Sequence, residues 1–470
     1  LIVKDQIFIN GKWVPSAGAD VIPVISAISE EVIATIPAGT AEDVDLAAQA
    51  AADAFPAWSQ TPAAERADML HKIARGMEAR VDEITKTIIS ELGYPAKMAE
   101  AAHARASIKD LQIAADSLRD IVWSEQVGDT TVSRAAAGVV GAITPWNGPM
   151  RMVSLKAGAA LAAGCTVVLK GTELAPLSSF LFAEIAEEAG LPDGVFNLVS
   201  GTGPVVGEAL VTHPLVDMVS LTGSVRAGRR VMELAAQSVK KVCLELGGKS
   251  ANIILEDADL ETAVTSGITD AFRNTGQACG ALTRMLVPRS RLAEAEQLAI
   301  RTAESFVLGD PYDLSTTLGP VANASQRQRV RDYIQVGIDE GARLLTGGPE
   351  APEGIERGFF VRPTVFSGDN SLRVAREEIF GPVVVIIPFD SEEEAFQIAN
   401  DSQYGLAGAI WAGDADRAKK LASKLRAGRI RINGSPVNLR APHGGFRLSG
   451  IGRESGRFGV EEYLEYKSIG

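Results

Sequence analysis

The chain has 470 residues, of which 46% are hydrophobic, with a formal net charge of −13 and a pI near 5.0. That length supplies several cores and is too great for one simple domain, while the acidic balance argues against nucleic-acid or membrane-surface partners. Three cysteines, Cys165, Cys243 and Cys279, make an odd and sparse set that fits a reducing compartment better than a disulfide framework. No apolar run is long enough to span a bilayer and no signal peptide stands out, so a soluble, cytoplasmic protein is expected.

Residues 1–40 read as short strands and turns, with a hairpin signal at Ile9-Asn10-Gly11-Lys12-Trp13. From Thr40 to about Ala115 apolar residues recur at helical spacing, and Thr40-Ala41-Glu42-Asp43 and Thr61-Pro62-Ala63-Ala64-Glu65 look like helix starts. Residues 119–136 form a break, within which Thr130-Thr131-Val132-Ser133-Arg134 reads as a polar, exposed strand suited to an oligomer contact.

From 138 to 249 strands and helices alternate. Strands fall at 138–144, 166–170, 195–199 and 218–221, with helices predicted over 149–162 and 176–189. Continuous apolar strands between helices mean a parallel sheet covered on both faces. The alternation restarts at 250 and runs to about 430, with strands at 251–255 and 382–387. The tail, 440–470, is rich in glycine and then in charge.

Several stretches carry chemistry. Cys279 lies in Phe272-Arg273-Asn274-Thr275-Gly276-Gln277-Ala278-Cys279-Gly280, a polar, glycine-flanked setting that makes poor core material. Cys165 and Cys243 lie in or beside apolar strands and read as structural. Glu245 ends an apolar strand just before Leu246-Gly247-Gly248-Lys249, where partial burial would raise its pKa toward that of a useful base. Gly223-Ser224 opens a helix after a strand, which suits a phosphate; Gly203 and Gly207 make a second glycine-rich turn. Taken singly, each is as consistent with an ordinary α/β turn. Lys170 and Glu173 stand past a strand's carboxyl end, where such sheets bind ligands, though an exposed loop pair would look the same. Thr144-Pro145-Trp146-Asn147 ends another strand, and the Asn147 amide is a neutral donor suited to an oxyanion or to a turn.

Taken together and in order, these stretches resemble the aldehyde dehydrogenase superfamily over nearly the whole chain. Pro145-Trp146-Asn147, Lys170-x-x-Glu173, Thr222-Gly223-Ser224, Glu245-Leu246-Gly247-Gly248-Lys249, Gly276-Gln277-Ala278-Cys279, Glu377-Glu378-Ile379-Phe380-Gly381-Pro382 and Ser449-Gly450-Ile451-Gly452-Arg453-Glu454 carry the resemblance. It implies an α/β fold: a Rossmann-like cofactor domain (1–117 and 137–249), a second α/β catalytic domain (250–438), and a small β oligomerisation arm with the C-terminal tail (118–136 and 439–470). It implies that Cys279 attacks the aldehyde carbon to form a thiohemiacetal, and that Asn147 and the Cys279 N–H hold the oxyanion. After hydride transfer leaves a thioester, Glu245 activates the water that releases the acid. By the same resemblance Thr144, Pro145, Trp146, Lys170, Glu173, Gly203, Gly207, Gly223, Ser224, Gly247, Glu378 and Phe380 form the cofactor site, with no metal. The cofactor is NAD, with NADP admissible, and the assembly a homodimer or homotetramer.

Two departures from the family pattern stand out. Gly171 replaces the usual proline after Lys170, which predicts a looser loop. The aligned substrate pocket, Gly148, Arg151, Leu155, Arg273, Val437 and His443, holds arginines in place of aromatics. An aldehyde with an anionic or polar far end would suit them; internal ion pairs with acids such as Asp270 would suit them equally. Three rival readings remain. A cofactor-free thiol hydrolase has no use for Lys170 and Glu173, an acylating relative that passes the thioester to coenzyme A lacks the acid at 245, and a non-enzymatic binding protein has no need of Cys279.

Overall fold

The computed structural model describes residues 1–470. Its largest sheet has eight strands, in the order Gly450–Ile451, Lys241–Glu245, Met218–Thr222, Val139–Ile143, Thr166–Lys170, Phe196–Val199, Gln6–Ile9 and Lys12–Pro15. The five strands from Lys241–Glu245 to Phe196–Val199 are parallel, and the outer ones are antiparallel. Val139–Ile143 comes first in the chain among the five and lies between a strand laid to one side and a strand laid to the other. The winding therefore reverses beside it, and a crevice opens past the carboxyl ends there. The apolar bodies of these strands are buried because helices such as Pro149–Ala163 and Leu177–Glu188 cover the sheet.

A second sheet has seven strands, in the order Arg343–Thr346, Thr364–Ser367, Val383–Phe389, Arg284–Pro288, Ala251–Ile254, Ala407–Trp411 and Arg429–Ile432, all parallel but the first. Residues 246–250 run directly from the carboxyl end of Lys241–Glu245 to the amino end of Ala251–Ile254. The two sheets therefore meet end to end, with 246–250 at the junction. Ser449 pins that link: its carbonyl accepts from the Leu246 N–H at 3.0 Å and its hydroxyl donates to the Gly247 carbonyl at 2.8 Å.

A third, antiparallel sheet joins Ser124–Val127, Thr130–Ala136 and Leu464–Ile469. A fourth joins Ile2–Val3, Val32–Pro37 and Val21–Ile25. No helix is long and apolar enough to cross a membrane.

Local signals act as their chemistry dictates, with two exceptions. The hairpin turns at Asn10 and Gly11, with φ of 53° and 69°, the paired positive values a two-residue turn needs. Thr40 and Asp43 form a reciprocal capping box at the start of Ala41–Gln60. Thr61, however, closes that helix instead of capping the next one; its N–H donates to the Trp58 carbonyl, and Ala63–Ala79 begins behind Pro62 with no side-chain cap. The loop at Gly171 is not loose. Gly171 is buried, and a Cβ there would strike the Ser179 hydroxyl, so the missing side chain permits close packing.

Candidate active site

Cys279 follows a turn of unusual backbone. Asn274, Thr275 and Gly276 have φ of 57°, 56° and 71°, a left-handed run that costs free energy at the two residues bearing a Cβ. Hydrogen bonds offset that cost. The Asn274 amide donates to the Asn147 carbonyl at 3.0 Å and lies 2.9 Å from the Tyr94 hydroxyl, while its oxygen meets His103 Nε2 at 3.0 Å. Gln277 donates to the Asn274 carbonyl and accepts from the Ala322 N–H. These bonds fix where the nucleophile stands.

The half-buried Cys279 lines a cavity of about 300 Å³ together with Asn147 and all six residues of the expected pocket: Gly148, Arg151, Leu155, Arg273, Val437 and His443. The Asn147 Nδ2 gives one proton to the Gln277 carbonyl at 2.9 Å; its second has no protein acceptor. Burial, with help from Glu245, pushes the Cys279 thiol up to about 11, while Arg429 and Arg273 pull it down.

Glu245 is buried, and neither carboxylate oxygen has a hydrogen-bond partner. Burial raises its pKa well above the ordinary 4.5, and Glu454 adds to the rise while Lys156 and Arg453 oppose it. His443 Nε2 lies 3.7 Å from Glu245 Oε2. Gly444 keeps the space beside the carboxylate open, since a Cβ there would stand 2.7 Å from Oε1. Below lies a buried pair, Lys156 Nζ to Glu454 Oε1 at 2.6 Å, with Lys156 also 3.0 Å from the Ser220 hydroxyl. The link between the sheets brings Glu245 and Cys279 together: a Cβ at Gly248 would stand 2.5 Å from the Cys279 carbonyl oxygen.

The remaining expected residues rim the crevice at the winding reversal. Thr144, Pro145 and Trp146 follow one strand, Lys170 ends the next, and Gly223 and Ser224 follow Met218–Thr222. Buried Lys170 donates to Glu173 at 3.0 Å and to the Gly171 carbonyl at 2.9 Å. Ser224 caps Val225–Ala236 by accepting from the Ala227 N–H. Gly203 and Gly207 bound a π-helical turn; a Cβ at Gly203 would meet open space, and one at Gly207 would stand 3.8 Å from the Lys170 stem. Glu378 accepts from the Gly248 N–H at 2.9 Å, burial pushes it up to about 7, and a Cβ at Gly247 would strike its carboxylate. Phe380, with φ of 63°, meets Trp146 edge-on at 5.3 Å. The crevice fits a dinucleotide: the Thr144 and Thr222 hydroxyls are buried in it without partners, and a capped helix start faces it.

Of the two arginines singled out in the sequence, the structure separates their fates. Arg151 pairs with buried Asp110 at 2.7 Å. Asp270 pairs with Arg431 at 3.2 Å, which leaves Arg273 without an ion pair and its Nε without a partner. Among the cavity residues that were not foreseen, two are ionisable. His103 sits on a π-helical stretch, Ala99–Arg105, inside what reads in sequence as plain amphipathic helix. Arg429 opens the last strand of the second sheet, and its alternation with Ile430 and Ile432 hides it among ordinary strand residues. Cys165 and Cys243 are fully buried, and all three cysteines are free.

The model of the aldehyde dehydrogenase family matches residues 13–469. The chain is 48% identical to a 3-succinoylsemialdehyde-pyridine dehydrogenase of a Pseudomonas species, over 99% of this chain and 98% of the relative. Among solved structures it is similar to a mutant aldehyde dehydrogenase C of Pseudomonas syringae in complex with NAD+ and octanal, with a TM-score of 0.98 and 47% identity over 99% of this chain and 96% of that one. It is likewise similar to a Mycobacterium tuberculosis aldehyde dehydrogenase complexed with NAD+, with a TM-score of 0.97 and 41% identity over 100% and 98% of the two chains.

Proposed function

The chain belongs to the aldehyde dehydrogenase family, and we propose that Cys279 and Glu245 divide its reaction into a covalent and a hydrolytic stage. It is an NAD-dependent oxidoreductase that converts an aldehyde to a carboxylic acid. The observation that carries the division of labour is a half-buried thiol in a cavity whose wall residue His443 lies 3.7 Å from an unpartnered buried carboxylate, which itself helps raise the thiol pKa.

The Cys279 thiol gives up its proton to solvent, the sulfur bonds to the aldehyde carbon, and the electrons of the carbonyl π bond move to its oxygen, which becomes an oxyanion. The free Asn147 amide proton and the Cys279 N–H stabilise that charge, which is worth about 3–4 kcal/mol per donor in comparable sites. NAD, when bound, supplies the hydride acceptor. Lys170, Glu173, Gly203, Gly207, Gly223, Ser224, Gly247, Glu378, Phe380 and the Thr144-Pro145-Trp146 turn hold it. Glu245 then takes a proton from water, the hydroxide adds to the thioester carbon, and the sulfur leaves as the acid forms. A carboxylate with a raised pKa is a stronger base for that step than a solvated one. Glu173 favours NAD over NADP, since a second phosphate on the ribose would meet its charge.

The far end of the substrate is polar or anionic. Arginines, not aromatics, stand along the cavity. The semialdehyde in the name of the Pseudomonas relative fits; the octanal held by the Pseudomonas syringae protein has no second polar group, so this chain's own residues carry the reading. Residues 1–117 with 137–249 serve as the cofactor domain and 250–438 as the catalytic domain. Residues 118–136 with 439–470 serve as the arm, apart from Gly450–Ile451 on the cofactor sheet. The arm makes a homo-oligomer, and three free cysteines fit a cytoplasmic, reducing setting. The test is NADH absorbance with an aldehyde panel: the wild-type chain forms NADH, and Cys279→Ala forms none. Equal rates in the two would remove Cys279 from the mechanism.

A further inference from the structure

Four arginines stand at or beside the cavity, and their charges are not equally spent. Arg151 is held by Asp110 at 2.7 Å, and Arg431 by Asp270 at 3.2 Å. The Asp270 carboxylate also accepts from the Leu282 N–H at 3.2 Å. Arg273 and Arg429 pair with no acid and donate no side-chain hydrogen bond to the protein, although neither is fully exposed. They line the same cavity as Cys279, and both border the small crevice next to it that holds Asp270, Gly280 and Val437. Arg429 stands close to the nucleophile's own turn: a Cβ at Gly280 would lie 3.3 Å from an Arg429 Nη.

A partly desolvated guanidinium with no acceptor is costly, and folding normally places an acid beside it. Here Asp270, which borders the same small crevice, is already engaged by Arg431, and Glu245, whose charge Arg429 also feels, forms no ion pair with it. Two forked donors aimed into a cavity of about 300 Å³ match a planar, bidentate anion. We propose that Arg429, acting with Arg273, is the specificity-determining residue of this cavity and binds the carboxylate of an aldehyde acid while Cys279 holds its aldehyde end. The inference rests on the proposed role of Cys279 and deepens the substrate reading; it gives Arg429 a task that the sequence did not suggest.

The experiment compares succinic semialdehyde with its methyl ester, which keeps length and aldehyde and removes the charge. In the wild-type chain the acid has the higher kcat/KM. In Arg429→Met the acid-to-ester ratio of kcat/KM falls at least tenfold, chiefly through KM, and Arg429→Lys restores part of it. Arg273→Met lowers the ratio independently, which keeps the test decisive if Arg429→Met does not fold. Calorimetry on Cys279→Ala adds a readout free of turnover: succinate binds, and loses at least tenfold in affinity when Arg429→Met is added. The proposal is overturned if the wild type prefers the ester. It is also overturned if Arg429→Met lowers both substrates alike and moves the pH midpoint of iodoacetamide inactivation upward, since Arg429 would then serve the Cys279 thiolate. Failure of the wild type to make NADH from either compound or from hexanal would instead strike the proposed mechanism itself.

Discussion

Glu245, the base proposed for the hydrolytic stage, is poorly solvated and its carboxylate has no hydrogen-bond partner. Burial favours its neutral form, so the fraction able to act as base grows only as pH climbs well past the ordinary carboxylate range. The hydrolytic stage should therefore speed up with pH along a limb whose midpoint lies far above 4.5, read from the pH profile of kcat under saturating NAD and aldehyde. His443, 3.7 Å from the carboxylate, tunes that limb. Its own pKa is depressed to about 3 by burial and by Arg429 and other arginines, so it is a neutral imidazole, a polar group beside the carboxylate. In His443→Phe the midpoint should move toward alkaline pH by about one unit, equivalent to about 1.4 kcal/mol. An unmoved midpoint would show that the ring does not communicate with Glu245.

Helices in this protein dock through buried carboxyls as well as apolar faces. Glu91, on Val81–Leu92, accepts from the Leu177 N–H at the start of Leu177–Glu188, and its second oxygen has no partner. Complete burial pushes Glu91 up to about 8. The folded state thus binds a proton that the unfolded chain has largely released above pH 4.5. Stability from this group is full below that value and is lost as pH rises through about 8, by about 5 kcal/mol for a shift of this size. Glu91→Gln keeps the acceptor for Leu177 and cannot ionise. It should flatten the fall of Tm between pH 6 and pH 8.5 relative to wild type; parallel Tm curves would contradict the account.

At the scale of the whole molecule, the design is two parallel sheets abutting end to end. The carboxyl ends of one and the amino ends of the other close on residues 246–250, which puts Glu245 and Cys279 at the same junction. At the amino end of the Lys241–Glu245 strand, where Lys241 donates to the Leu464 carbonyl, the sheet of Ser124–Val127, Thr130–Ala136 and Leu464–Ile469 leaves Tyr466 and Ile469 68% and 53% exposed, and this is the face proposed for a partner. Replacing both by glutamate should yield a monomer by light scattering, where wild type forms an oligomer; an unchanged mass would move the interface elsewhere. The alternating strands, the hairpin and the motifs at 145–147, 245–249 and 276–279 were legible because each is set by short-range chemistry. The partners of Arg151 and Arg431, the freedom of Arg429, and the Ser449 clamp on Gly247 join residues far apart in the chain, and no local pattern announces them. The π-helical stretch at His103 was hidden because its amphipathic spacing does not differ enough from that of an α-helix. The most direct test of the two-stage mechanism is intact-mass spectrometry with stopped-flow absorbance on Glu245→Gln given NAD+ and aldehyde. One equivalent of NADH per site and a lasting acyl adduct on Cys279 are expected. Wild-type turnover in this variant, or NADH formed with no adduct on that cysteine, would contradict that mechanism.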